Sequence, residues 1–321
     1  MFQPGRLLIL FAVITQAAVT IEPTAYKGWP NCYRITNGEV ELIITSDIGP
    51  RIMRYGFLNE ENLFKEFPET LGKSGGDKWL PIGGHRLWTA PESTAYSYAP
   101  DNSAVQVKVE GSQLEATQPV EPSTGIQKQM TIRLAEAGSA VEVRHRITNH
   151  NVWAIELAAW AMTMMAPGGV SFAALPPRGT HEENLLPTNP LVMWAYTDFS
   201  DPRWKLNRKY VILRQDPKST TPQKTGLFNA DTWAGYLLGS VLFLKRSEAD
   251  AAKTYPDFGC SYETFTNAEF LEMETLGPMT RLAPGASVDH TERWSLHRNV
   301  RLEQWRDAEI DRVVLDKVGL R

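Results

Sequence analysis

Only two cysteines, Cys32 and Cys260, occur in 321 residues, too few for a disulfide framework and with no CxxC pair for a zinc ribbon. They are read either as one disulfide, if the chain is exported, or as separate buried thiols. No Walker loop, GxSxG elbow or HExxH helix is present, which removes the commonest nucleotide, serine-hydrolase and zinc-hydrolase chemistries. A basic block is missing too: 33 Lys and Arg against 37 Asp and Glu leave a formal charge of −4. Without an Arg-rich run the chain has no surface to track phosphates, so no nucleic-acid partner is expected. The one long apolar run is at the N-terminus, in MFQPGRLLILFAVITQAAVT. Arg6, the run from Leu7 and the small residues near Ala17 read residues 1–20 as a signal peptide, hence a periplasmic or extracellular protein. An ordinary disordered or core-packing terminus is the plainer alternative. The run is short for a membrane span and nothing later exceeds it, so no membrane partner is expected of residues 21–321, which are taken as one domain.

What the chain does have is aromatics, ten tryptophans among them, and strands. Glu39–Thr45, Val105–Glu110, Ile126–Leu134 and Val141–Thr148 are strand-length runs rich in β-branched residues. In the last, Val141, Val143, His145 and Ile147 share one face, which makes His145 a core histidine. Proline and glycine punctuate the connections, and Pro167–Pro190 reads as one long loop. Only Arg301–Val318 has helical spacing. The expected fold is all-β: antiparallel sheets packed as a large sandwich with a short C-terminal helix.

Several clusters carry candidate chemistry. In Ile82-Gly-Gly-His-Arg-Leu-Trp-Thr-Ala-Pro-Glu92 the glycines permit unusual backbone angles that can hold His85 and Arg86 at a cleft, with Trp88 as a stacking surface. In the structural alternative Arg86 simply pairs with Glu92. In Phe270-Leu-Glu-Met-Glu-Thr-Leu276, alternation places Leu271 and Met273 on one face and Glu272 and Glu274 on the other; a close carboxylate pair raises one pKa and suits acid–base work if the face lines a cleft. His290 and Glu292 share a strand face and read as a hydrogen-bonded core pair. The stretch Trp194–Trp204 mixes rings with Asp198, Asp201 and Arg203, as a sugar site does, or caps a sheet edge. In Tyr255–Asn267, Asp257, Tyr262 and Glu263 either line a pocket or, with the aromatics, build a turn and core.

Taken together, GGHRLWTAPE (83–92), LPPRGTH (175–181), YTDFSDPRW (196–204), YPDFGCSYETFTN (255–267) and LEMETLGPMTRLAPG (271–285) resemble an uncharacterised bacterial family of the galactose-mutarotase-like, aldose epimerase-like superfamily. The resemblance covers nearly all of the chain after residue 20 and implies a β-supersandwich with a carbohydrate site on a curved face. It also implies an isomerase of aldose 1-epimerase type that needs neither cofactor nor metal, acting on a mono- or oligosaccharide. Leu271-Glu-Met-Glu-Thr275 is similar to the segment that supplies the epimerase base, which makes Glu274 that base. Epimerases carry their acid in a His-x-Tyr-Phe segment; here Ala158-Ala-Trp-Ala-Met162 has Trp160 and no histidine. His85 is then the candidate acid, with Arg86, Trp88, Glu92, Trp204, Asp257, Tyr262 and Glu272 holding sugar. A carbohydrate-binding protein without turnover is the alternative, and a polysaccharide lyase, with Tyr262 and Arg86, a more distant one. The epimerase reading requires His85 and Glu274 to face one cleft.

Overall fold

A computed structural model describes residues 18–318. The expected signal segment lies outside them except for its last three residues, of which Thr20 opens the first strand.

Alternation of apolar and polar side chains dictates two antiparallel sheets, each hiding one face in a shared core. The first runs, in spatial order, Thr20–Tyr26, Trp29–Thr36, Val40–Thr45, Arg51–Phe57, His85–Ala90, Ile155–Met165, Leu271–Leu276, Tyr262–Thr266, Gln223–Leu227 and Leu191–Met193, with Thr280–Leu282 on the far half of Ile155–Met165. The second runs Trp204–Leu206, Tyr210–Arg214, Val170–Ala174, Asp231–Leu238, Val241–Glu248, Ser287–His297, Val141–Asn149, Ile126–Leu134, Gln113–Thr117 and Gln106–Glu110. The strands expected from alternation are all present. Between the sheets, Ile52, Leu271 and Met273 of the first meet Ile132, Val143 and Phe243 of the second. Tyr55, Phe64, Phe243 and Trp294 pack at tilted and edge-on angles that suit ring quadrupoles.

Two expectations are corrected. The long loop is shorter than Pro167–Pro190, because Val170–Ala174, buried on both faces, is an inner strand of the second sheet. The terminal helix begins at Asp307 instead of Arg301. Glu309 folds back to accept the backbone N–H groups of Glu303, Gln304 and Trp305 at 2.8–2.9 Å, which fixes the preceding residues as an irregular cap and holds Trp305 at φ +54°. The helix lays Ile310 and Val314 against Phe172 and Trp233 on the outer face of the second sheet.

The stretch around Gly83 is a strand, not a loop. His85–Ala90 is an inner strand of the first sheet, between Arg51–Phe57 and Ile155–Met165, and only the two glycines before it are non-extended. Gly83 stands at φ +95°, where a Cβ would lie 2.0 Å from the Lys65 carbonyl oxygen. Gly83→Ala is therefore expected to cost at least about 1–3 kcal/mol. Gly75, at φ +75° with nothing within 4 Å, isolates backbone strain from the clash: Gly75→Ala is expected to cost clearly less in urea unfolding.

Candidate functional site

The functional geometry follows from pleat alternation along the His85–Ala90 strand. His85 and Leu87 point into the inter-sheet core, and Arg86 and Trp88 point to the outer face. Antiparallel register then aligns Arg86 with Met162, Met162 with Glu274, Glu274 with Glu263 and Glu263 with Gly226, one transverse row across five strands. On one side of it lies the row Trp88, Trp160, Leu276; on the other, Met164, Glu272, Phe265, Lys224.

The row gathers charge under rings. Glu274 Oε2 accepts from Trp160 Nε1 at 2.9 Å and from Lys224 Nζ at 3.0 Å. Lys224 Nζ also stands 2.8 Å from Glu263 Oε2, an ion-pair distance without the direction of a good hydrogen bond, since neither oxygen of Glu263 has a hydrogen-bond partner. The ammonium lies 4.8 Å from the ring centres of both Trp160 and Trp194. Gly226 makes the approach possible: a Cβ there would lie 2.5 Å from Cys260 Sγ and 3.2 Å from both Glu263 Cγ and Trp194. At the other end the Arg86 guanidinium is stacked 4.0 Å from the Trp88 ring centre and 4.9 Å from that of Trp79. Its acidic neighbour, Glu272, is at 3.9 Å. Tyr98 packs on Trp79 and Trp88 and donates its hydroxyl proton to Glu92 at 2.5 Å.

This nest is deeply buried: Glu263 and Glu274 have no exposure, and Arg86, Trp88 and Trp160 are 2–3 % exposed. Burial sets its electrostatics. It pushes the Glu272 carboxyl up to about 7, Glu274 adding to the rise and Arg86 opposing it. Burial and Glu274 likewise hold Glu263 well above the ordinary range, against Lys224. Burial alone would discharge Lys224, but Glu274 and Glu263 more than reverse that and keep it an ammonium. Arg86 is lowered to about 10, by burial first and by Arg51 second. Several buried polar atoms have no hydrogen-bond partner: Arg86 Nε and Nη1, Trp79 Nε1, Trp88 Nε1, Glu272 Oε1, Glu274 Oε1 and the Glu263 carboxylate. Buried donors and acceptors are normally satisfied, and here the unpartnered ones are concentrated in a single nest.

His85 is not part of it. Its side chain lies on the other face of the sheet, where Nε2 meets His145 Nε2 at 2.7 Å and Nδ1 meets Thr163 Oγ1 at 2.8 Å. The tautomers follow from a carbonyl that can only accept: His145 Nδ1–H donates to the His290 oxygen at 3.0 Å, so His145 Nε2 accepts from His85 Nε2–H, and His85 Nδ1 accepts from Thr163. Burial, then Lys245, drives the His85 pKa far down. Both its nitrogens are spent, and it cannot donate to a sugar on the outer face. Ligand atoms of His85, His145 and Glu292 do lie within 4.8 Å of one another, but the imidazoles bond to each other and Glu292 Oε1 holds the Lys245 ammonium at 2.8 Å. Thr275 joins the pair expected on the Ser287–His297 strand, its hydroxyl 2.7 Å from His290 Nε2 and 2.5 Å from Glu292 Oε1. The cluster is a hydrogen-bonded part of the core.

Other expectations divide. Arg86, Trp88, Glu272 and Glu274 come together as expected, and Glu92 sits at the rim bonded to Tyr98, not to Arg86. Tyr262 is a core residue on the opposite face from its neighbour Glu263, and that neighbour is the one in the nest. Trp204 opens the second sheet and bonds Gln223 at 2.9 Å, because the segment after Trp194 crosses from one sheet to the other. Asp257 shapes a turn at φ +50°, its carbonyl accepting from the Cys260 thiol at 3.0 Å. It stands outside the row, near enough for its charge to act on Glu263. Cys32 and Cys260 are separate buried thiols. Lys224 and Trp79 were not singled out from sequence. The signal for Lys224 was a lone lysine among small residues in Gln223–Leu227, a strand buried throughout, where an ammonium demands carboxylate partners.

The fold is that of the galactose mutarotase-like proteins, a β-supersandwich of two antiparallel sheets with a short C-terminal helix. A galactose mutarotase-like protein from Lactobacillus casei ATCC 334 superposes with a TM-score of 0.54 at 13 % identity, over 83 % of this chain and 100 % of that one. The Slr1438 protein from Synechocystis sp. PCC 6803 superposes with 0.56 at 10 % identity, over 88 % and 99 %. No protein-family model matches the chain, and no curated protein does. At these identities the likeness concerns the fold alone.

Proposed function

We propose that the protein binds a carbohydrate on the outer face of its first sheet, in the nest between Arg86 and Glu263. The observation that carries this reading is the coincidence of indole rings, carboxylates and cations with buried polar atoms left without partners. Rings stack on the C–H faces of a sugar, carboxylates accept from its hydroxyls, and buried unpaired groups discriminate strongly for a ligand that satisfies them. Glu274 is the central acceptor, one oxygen pinned by Trp160 and Lys224 and the other free to take a hydroxyl proton.

Isothermal titration with a panel of aldoses and oligosaccharides tests this. Glu274→Gln removes a charged acceptor and is expected to cost about 1.5–3 kcal/mol, roughly 10- to 150-fold in Kd. Binding unaffected by that change, or no binding across the panel, sinks the reading.

Turnover of aldose 1-epimerase type is a second reading, favoured by the Glu272 carboxyl, which titrates near neutrality beside Glu274. Here Glu274 takes the C1 hydroxyl proton and Glu272, not His85, supplies the proton to the ring oxygen. Polarimetric mutarotation no faster than in buffer, with binding retained, leaves the protein a carbohydrate binder without turnover.

A further inference from the structure

The unpartnered atoms of the nest are sorted by sign along the row. All the donors belong to one stacked unit: Arg86 Nε and Nη1, Trp88 Nε1 and Trp79 Nε1, with Trp79 and Trp88 centred 5.5 Å apart and the guanidinium on both. All the nest's unpartnered acceptors lie on the strands Leu271–Leu276 and Tyr262–Thr266, as Glu272 Oε1, Glu274 Oε1 and Glu263 Oε1, the other Glu263 oxygen being held by Lys224. The strand of Arg86 and that of Glu274 are separated by Ile155–Met165, so their backbones stand roughly 10 Å apart at the usual strand spacing. Trp160 lies between them, its ring 5.6 Å from that of Trp88 and its N–H on Glu274.

Cation and carboxylate meet closely at one end of the row and only loosely at the other. Lys224 serves Glu263 and Glu274 at 2.8 and 3.0 Å. Nearby Arg51 has its own carboxylate in Asp101. Arg86, 2 % exposed, has Glu272 no nearer than 3.9 Å, feels Asp101 and Glu274 only from farther off, and leaves Nε and Nη1 without a hydrogen-bond partner. A desolvated guanidinium with two idle N–H groups beside two idle indole N–H groups is a fork for a planar anion.

We propose that the sugar taken by this site is acidic, a uronate residue whose carboxylate lies against Arg86, Trp88 and Trp79 while its ring hydroxyls reach Glu263, Glu272 and Glu274. In a pyranuronate the carboxylate on C5 lies across the ring from the C2 hydroxyl, so one residue presents an acceptor end and a donor end as the row requires. This rests on the carbohydrate reading above and adds the ligand class.

The test is calorimetric titration of the full chain with sodium glucuronate and galacturonate beside glucose, galactose and glucosamine. The uronates are expected to bind at least about 10-fold more tightly than the matching hexoses, about 1.4 kcal/mol. Arg86→Gln is expected to bring the uronate-to-hexose ratio close to one, and Arg86→Lys to retain part of it. Should Arg86→Gln fail to fold, Trp88→Phe keeps the ring, removes one idle N–H and is expected to reduce the ratio. Hexoses binding as tightly as uronates, or glucosamine binding best, overturns the uronate assignment and leaves the carbohydrate reading in place. No binding by any member of the panel overturns both.

Discussion

Glu292→Gln is expected to lower the free energy of unfolding by about 3–5 kcal/mol, the usual cost of removing one partner from a buried ion pair. Glu292 and Lys245 have no exposure and meet at 2.8 Å in the core between the sheets. The same carboxylate takes the Trp294 indole N–H at 2.8 Å and the Thr275 hydroxyl at 2.5 Å. Glutamine replaces an ion by an amide that must donate where only donors converge, and it strands Lys245, whose remaining bond is to the Met273 carbonyl at 3.0 Å. Burial already lowers the Lys245 pKa, with Glu292 resisting the fall, so the single variant is expected to hold Lys245 neutral. The double variant Glu292→Gln with Lys245→Met removes the stranded amine together with the cost of burying it and is expected to recover part of the loss, a coupling readable in a double-mutant cycle by urea denaturation. A single-variant loss under about 1 kcal/mol contradicts a tight buried pair.

The pattern of what was legible in the sequence has a physical cause. Strands with one core face and one outer face showed themselves by alternation, which is why Glu272 and Glu274 were placed together and His145 inside. His85–Ala90 defeated the same reasoning although Leu271–Leu276 is buried just as completely, because His85, Leu87 and Thr89 on one face and Arg86, Trp88 and Ala90 on the other mix polar with apolar side chains. Polar and apolar side chains then no longer separate exposed from hidden, and two glycines made the stretch look like a turn. Once the strand is recognised, period two alone puts His85 and Arg86 on opposite faces and ends the acid assignment. Of Tyr262 and Glu263, both named as able to line a pocket, the same period of two places only Glu263 on the outer face. The row across five strands was out of reach, because register between segments as distant as Arg86 and Glu274 is fixed by the packing of the whole sheet. The histidine of the epimerase pattern is replaced in a definite way: Trp160 stands beside Glu274 and donates to it, so an indole N–H occupies that side of the carboxylate.

Stability is expected to fall as the pH is lowered from about 6.5 to 4.5, with opposite contributions from the buried histidines and from the carboxyls on the outer face of the first sheet. Burial lowers the pKa of His85, His145 and His290 from the ordinary 6.5, that of His290 to about 4; half-buried His297 also falls to about 4. Below pH 6.5 the unfolded chain therefore binds more of these protons than the folded chain, which costs up to about 1.4 kcal/mol per pH unit for each fully buried imidazole and less for His297, which water screens. On the outer face the sign reverses. Glu263 and Glu272 are raised above the ordinary 4.5, Glu272 to about 7, so between pH 7 and 4.5 the folded chain holds the extra protons and gains stability as the pH falls. The imidazoles outnumber the raised carboxyls, and the net slope is expected to be about 1–3 kcal/mol per pH unit. Glu272→Gln removes one opposing proton, so the slope between pH 7 and 4.5 is expected to steepen by about 1.4 kcal/mol per pH unit. Urea unfolding at pH 7, 6 and 5 measures both slopes. A variant slope equal to or flatter than the original contradicts a raised Glu272.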